Sequence, residues 1–355
     1  MIDFNLATAA DPRDVIHRVV QHLVEGQVAT LPLENGPCGA MIATGTPPSD
    51  DAFVDAAVLL DSIEAAADWL PQLSVSQSRL VTRCWPGPVA FRVPESEWTL
   101  APALPQAIHR CVRSDRGLKL RVSSSEAVSD VLSLLPTPLI VAEEGRWADH
   151  STMTLEHGSP TPLVPATVVA FSDEGFEIER EGAMSVDEIQ GASGLEVVFL
   201  CTGNTCRSPM AEAIFRDRIA RELGVAMDEL SQTGIRVQSV GLAAAGGDPA
   251  SHDAVDVAAA NGLDLSSHRS TPATLDLLSR ADAVFTMTQG HRAAILSQAP
   301  ELAATVQPLV PDGNDVSDPI GMGRREYAMC FDQIREAIEQ RLPAIVDQWR
   351  TSRPA

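Results

Sequence analysis

The chain has 355 residues, 45% hydrophobic and 21% charged, and no run of it approaches the roughly 18 uncharged apolar residues that a membrane-spanning helix requires. Its 26 basic residues face 48 acidic ones, a net charge of −22, which disfavours attraction to nucleic acid or to an anionic membrane. Any anion it binds must therefore be held by a local site that works against the global field. The length suits two domains, the acidic start MIDFNLATAADPRD lacks the basic and apolar regions of a signal peptide, and six cysteines are too few for a disulfide scaffold, so a reducing cytoplasm is the expected setting.

Residues 1–190 mix element types. Residues 11–24 predict a helix with Asp11 as cap, Pro12 in the first turn, and Val15, Val19, Val20 and Leu23 on one face. Residues 27–32 predict a strand, 51–70 an alanine-rich helix, and 89–93, 118–122, 139–142 and 167–171 short strands. A short small-residue linker, Gln190-Gly191-Ala192-Ser193-Gly194, marks the domain boundary.

The second domain, 195–355, alternates cleanly. Strands are predicted at 195–200, 235–240 and 283–287, and helices at 208–223, 248–261 (closed by Gly262), through 291–298, and at 327–349. Strands alternating with helices imply an α/β fold: a doubly wound parallel sheet whose ligand site lies beyond the carboxyl ends of the strands.

The first of these strands runs into Cys201-Thr202-Gly203-Asn204-Thr205-Cys206-Arg207-Ser208-Pro209, with Ser208 the expected cap and Pro209 the first helical residue. A cysteine and an arginine six positions apart thus bracket a tight loop at a helix N-terminus. Backbone N–H groups and the helix dipole make an anion cradle there, and the Arg207 fork matches phosphate oxygens. The same field favours a thiolate at Cys201, so the chemistry indicated is phosphoryl transfer to sulfur. Further on, Asp315-Val316-Ser317-Asp318-Pro319 offers Asp318 as the proton donor that expulsion of a poor leaving group needs. Cys206 is either a small packing residue or a thiol able to trap an oxidised Cys201. His252, His268 and His291 have no metal-ligand spacing and read as surface or capping residues; no metal or other cofactor is expected.

Residues 195–350 resemble the low-molecular-weight protein tyrosine phosphatase family through VVFLCTGNTCRSPMAEAIF, SVGLAAAGGDPASHDAV, NGLDLSSHRS and VSDPIG. The resemblance implies a four-stranded parallel sheet flanked by helices. It makes Cys201 the nucleophile that forms a phosphocysteine, Arg207 the phosphate clamp and Asp318 the general acid and then base. Asn204 shapes the loop, and Ser208 hydrogen-bonds the thiolate. The implied partner is a phosphorylated protein. Ile320-Gly321-Met322 stands where tyrosine-specific members usually carry aromatic residues after the Asp-Pro. Thr205 and the run CTGNTCRSPMAE resemble the bacterial protein arginine phosphatase branch, although that branch usually has phenylalanine at the position of Ile320. Both phosphotyrosine and phosphoarginine stay open as substrates. The arsenate-reducing relatives rank lower, because they rely on further downstream cysteines and only Cys330 follows here.

Residues 14–190 resemble the YrdC-like family of threonylcarbamoyl-AMP synthases. The pieces are Gly26-Gln27-Val28-Ala29-Thr30-Leu31-Pro32, Trp85-Pro86-Gly87-Pro88, Leu118-Lys119-Leu120-Arg121-Val122, Pro138-Leu139-Ile140-Val141-Ala142, Thr167-Val168-Val169 and Arg180-Glu181-Gly182-Ala183-Met184. This implies a twisted α/β domain with a concave cavity. The family's threonine-rich segment, its lysine-and-arginine segment and its Ser-Ala-Asn segment have no counterparts: residues 51–78 contain no basic residue, and Glu143-Glu144-Gly145 replaces the last. A catalytically degenerate domain is expected. The alternatives are a bifunctional chain with residual threonylcarbamoyl-AMP synthase activity and a nucleotide- or RNA-binding first half.

Overall fold

Along the strand Leu195–Cys201 the side chains alternate between two apolar layers, and this parity decides where the terminal cysteine points. Leu195, Val197, Phe199 and Cys201 enter one cluster, while Val198 and Leu200 enter the other. The computed structural model describes residues 2–49, 52–70, 72–94, 104–114, 116–158, 162–173 and 175–351, divided between a unit spanning Met1–Ala192 and a unit spanning Ser193–Arg353. No helix among the described residues is long and apolar enough to cross a membrane.

In the second unit four strands run parallel in the order Ile235–Gly241, Leu195–Cys201, Ala283–Thr286, Val306–Pro308. Helices Arg207–Leu223, His252–Ala260 and Arg324–Thr351 contribute to the cluster on the Cys201 side, and Leu275–Arg280 and Gln289–Leu296 to the opposite one. Both faces are covered, as continuous apolar strands require. The helix after the loop begins at Arg207 with Cys206 as its cap, two residues earlier than the expected cap Ser208 and first residue Pro209. Ser208 cannot cap, because its hydroxyl turns inward to Cys201 Sγ and the Val240 carbonyl.

The first unit holds one mixed sheet. Its strand order is Ile2–Asn5, Ser151–Glu156, Val28–Leu33, Gly36–Ile42, Leu139–Ala142, Ala57–Leu60, Gly117–Val122, Val89–Val93, Thr167–Ser172, Gly175–Arg180, and the short Arg113–Ser114 pairs Gly117–Val122. Helix Pro12–Val24 is capped by the Asp11 carboxylate as its sequence suggests. The expected alanine-rich helix over 51–70 does not form; Asp51 itself lies outside the described residues. Instead Ala57–Leu60 is a strand near the middle of the sheet, Val58 and Leu60 facing one core and Ala57 and Leu59 the other, followed by a single helical turn, Ile63–Ala66, capped by Ser62. Burial on both faces overrides alanine's helix propensity. The small-residue linker is also corrected: most of it is the end of helix Val186–Ser193, whose Ser185 and Glu188 cap each other reciprocally and whose Ile189 is buried.

Candidate active site

The parity of the first strand carries Cys201 beneath helix Arg207–Leu223, and only 3% of it remains exposed. Two groups approach its sulfur. The Asn204 N–H donates to Sγ at 3.2 Å, and Ser208 Oγ lies 3.0 Å away. Asn204 Nδ2 donates into Ser208 Oγ at 3.0 Å, so the serine's own proton is available to sulfur or to Val240 O. Donors converging on a sulfur suit a thiolate better than a thiol.

Asn204 organises the loop from its underside. It sits at φ 54°, a left-handed conformation that asparagine tolerates, and its buried amide also donates to Ser239 Oγ and accepts the Thr271 N–H at 2.7 Å. Ser239 in turn donates to Glu212, and His268 Nε2 lies 2.8 Å from the Asn204 carbonyl. The Leu242 and Ala243 N–H groups bond the carbonyls of Cys201 and Thr202. Gly241 makes that approach possible: a β-carbon there would lie 2.7 Å from Thr202 O and 2.8 Å from Asn204 N.

Arg207 is buried within the first turn. Its Nη2 bonds Asp318 Oδ2 at 2.6 Å, its Nη1 reaches the Val316 carbonyl at 3.4 Å, and its buried Nε has no partner among the described residues. The structure therefore brings together the cysteine, arginine and aspartate singled out in the sequence, across 117 positions of chain. The segment carrying Asp318 is held from three sides: the Val316 N–H bonds Met287 O, Asp315 Oδ1 accepts the Gln289 N–H, and Gln333 bonds the backbone at Asp315 and Ser317. Ile320 and Met322, just beyond, are largely exposed.

At the other end of the loop, Thr205 O accepts the Ser251 N–H, and Thr205 Oγ1 lies 3.6 Å from Cys206 Sγ. Cys206 Sγ is 3.1 Å from the Tyr327 hydroxyl and 3.3 Å from Ser251 Oγ. Burial, reinforced by the contact with Cys206, pushes Tyr327 up to about 12, so the phenol stays protonated and able to donate. Burial likewise raises the Cys330 thiol to about 12, in keeping with a packing role in the last helix. Two of the histidines read as surface or capping residues meet the loop. His268 holds the loop carbonyl, and His291, 8% exposed, places Nε2 2.9 Å from Thr202 Oγ1. Nothing local in sequence gives His291, Ser239 or Tyr327 these contacts; strand pairing carries Ser239 under the loop, and the helices Gln289–Leu296 and Arg324–Thr351 carry His291 and Tyr327 to it. No disulfide is formed among the described residues.

The first unit gathers cations too, but each meets carboxylates. Arg121 bonds Glu143 at 2.8 Å and Glu34 at 2.9 Å, Arg180 bonds Glu143 and Glu144, Lys119 bonds Asp55 at 2.9 Å, and Arg92 bonds Asp55 and Glu179. Burial opposes ionisation of Glu143, yet Arg121, the Asn35 amide, the Ala166 N–H and Arg180 outweigh it and hold the carboxyl below its usual range. The cavity among Lys119, Arg121, Glu143 and Arg180 has a volume of about 30 Å³, room for water only. A cleft of about 430 Å³ nearby is lined by Glu34, Glu126 and Glu156.

The family described as low molecular weight phosphotyrosine protein phosphatase matches residues 196–352. A probable low molecular weight protein-tyrosine-phosphatase, EpsP, of Ralstonia nicotianae is 33% identical over 155 residues, covering 43% of this chain and 95% of that protein. The protein-arginine-phosphatase of Bacillus subtilis is 33% identical over 150 residues, covering 41% of this chain and 93% of that protein. Among solved structures, the YwlE arginine phosphatase from Geobacillus stearothermophilus shares 29% identity over 43% of this chain and 94% of its own, with a TM-score of 0.38. Through its second unit, the chain belongs to the low molecular weight phosphotyrosine protein phosphatase family, whose members here include protein-arginine phosphatases.

Proposed function

We propose that the second unit removes phosphate from phosphorylated protein side chains through a phosphocysteine. The backbone N–H groups of Thr202, Gly203, Asn204, Thr205 and Cys206, with Arg207, cradle the phosphoryl oxygens. Cys201 Sγ attacks phosphorus, the S–P bond forms, and the bond to the leaving group breaks as Asp318 supplies its proton. Asp318 then takes a proton from water, whose oxygen displaces the sulfur and releases phosphate. Asn204 and Ser208 keep the thiolate in place. The observation that carries this reading is the convergence of the Asn204 N–H and the Ser208 hydroxyl on Cys201 Sγ, at a loop whose arginine meets Asp318 at 2.6 Å. Side-by-side hydrolysis of phosphotyrosine and phosphoarginine peptides tests it.

Within that reading phosphoarginine is the preferred substrate. Thr205 offers a hydroxyl to guanidinium N–H donors, and no aromatic residue stands at 320–326, just after Pro319, to stack on a phenol ring. One such polar contact contributes about 1 kcal/mol, roughly a fivefold preference. Thr205→Ile should shift the ratio of kcat/KM values toward phosphotyrosine. A wild type that prefers phosphotyrosine tenfold, with Thr205→Ile leaving the ratio unchanged, removes the arginine assignment and leaves the phosphatase intact.

The first unit is best explained as a YrdC-like domain without synthase activity. This rests on the matched cations and on the carboxylates lining both cavities, which would repel a triphosphate. The full-length protein should release no pyrophosphate from ATP in the presence of bicarbonate and threonine; threonine-dependent release would restore the bifunctional alternative.

A further inference from the structure

Thr202 follows the nucleophile directly and is exposed, whereas the ring that holds its hydroxyl is almost wholly buried. His291 lies in the first turn of helix Gln289–Leu296, its N–H bonded to the capping Thr288 Oγ1. The charged groups that act on its ring are Arg207 from the helix after the loop and Asp315 and Asp318 from the acid-bearing segment. Burial first, and Arg207 second, hold the imidazole below its usual range, so it is neutral near pH 7.

A neutral imidazole carries one proton. Were it on Nδ1, a buried N–H would have no partner, because Nδ1 is buried and unbonded among the described residues. On Nε2 it leaves only an unmatched lone pair, the cheaper defect. Nε2–H therefore donates to Thr202 Oγ1, and the threonine's own proton, with no other acceptor among the described residues, is free for a ligand.

We propose that Thr202 touches the substrate, donating its hydroxyl proton to the phosphoryl group, and that His291 is the positioning residue that keeps it a donor. This rests on the phosphatase reading and adds a side-chain donor to the backbone cradle.

The test is a double-mutant cycle in the full-length protein on an aryl phosphate, combined with calorimetric titration of inorganic phosphate. Thr202→Val should lower kcat/KM ten- to a hundredfold, the range for a hydrogen bond to a charged group. Thr202→Ser should recover most of that loss. His291→Leu should reproduce it, His291→Gln, which keeps an N–H near Nε2, should recover it in part, and the Val/Leu double variant should fall no further than Thr202→Val alone. Thr202 is exposed, so its variants keep the test decisive if His291→Leu does not fold. A Thr202→Val protein within twofold of wild type, or losses that multiply in the double variant, overturns the proposal. If wild type hydrolyses no phosphate ester at all, the phosphatase reading falls; the titration then decides this proposal, weaker phosphate binding by Thr202→Val supporting it and unchanged binding overturning it.

Discussion

Cys201→Ser is expected to abolish hydrolysis of an aryl phosphate by the full-length protein, lowering kcat by roughly 10⁴-fold or more, as loss of a covalent nucleophile does elsewhere. A serine hydroxyl will not ionise where a thiol can, even with the Asn204 N–H and Ser208 directed at it. Those donors and Arg207 stay in place in the variant, so inorganic phosphate should still bind. That result separates loss of the nucleophile from loss of the fold. The proposed steps use no metal, so activity of the wild type should survive a chelator. Residual turnover in Cys201→Ser above a few per cent, or wild-type activity lost on chelation, would mean that sulfur is not the group attacked through.

The second unit was the more legible half because its signals are local and agree. Its strands Leu195–Cys201 and Ala283–Thr286 are short, mostly apolar runs, its strands and helices alternate along the chain, and the loop's cysteine and arginine lie six residues apart in one turn. What the residues could not disclose was set by distant pairing. Alignment of strand Ile235–Gly241 beside Leu195–Cys201 puts Gly241 opposite Cys201 and carries Ser239 to the Asn204 amide. His291 reads as a surface or capping residue because no spacing ties it to other ligating groups; it is buried, with Nε2 at the Thr202 hydroxyl of the loop. The first unit was harder for the same reason. Its Gly36–Ile42 strand, GPCGAMI, has two glycines and a proline and carries no strand signal of its own, yet it pairs on both sides. Its alanine-rich 51–70 segment reads as helix, yet Ala57–Leu60 within it is a strand near mid-sheet. In a mixed sheet most partners are remote, so composition misleads where long-range pairing decides.

Asp318→Asn is expected to slow cleavage of a substrate with a poor leaving group by roughly 10²–10⁴-fold, the usual contribution of general acid catalysis. An activated aryl phosphate, whose leaving group needs little protonation, should be slowed much less. The Arg207 contact sharpens this. In the structure Asp318 Oδ2 bonds Arg207 Nη2, and Asp318 Oδ1 accepts the Ile320 N–H, which keeps the carboxylate over the loop. An asparagine keeps one acceptor oxygen for these two bonds and has no acidic proton to give, so the variant removes the acid and weakens one positional bond, and the comparison of two leaving groups separates the two effects. The two substrates then report different things. A large loss on the poor leaving group alone identifies proton transfer, whereas equal losses on both would mean that Asp318 acts by fixing the Asp-Pro turn and Arg207 rather than as the acid. In that event the leaving-group proton must come from elsewhere, and the side chains at the loop that carry one include the Thr202, Thr205 and Ser208 hydroxyls and His291.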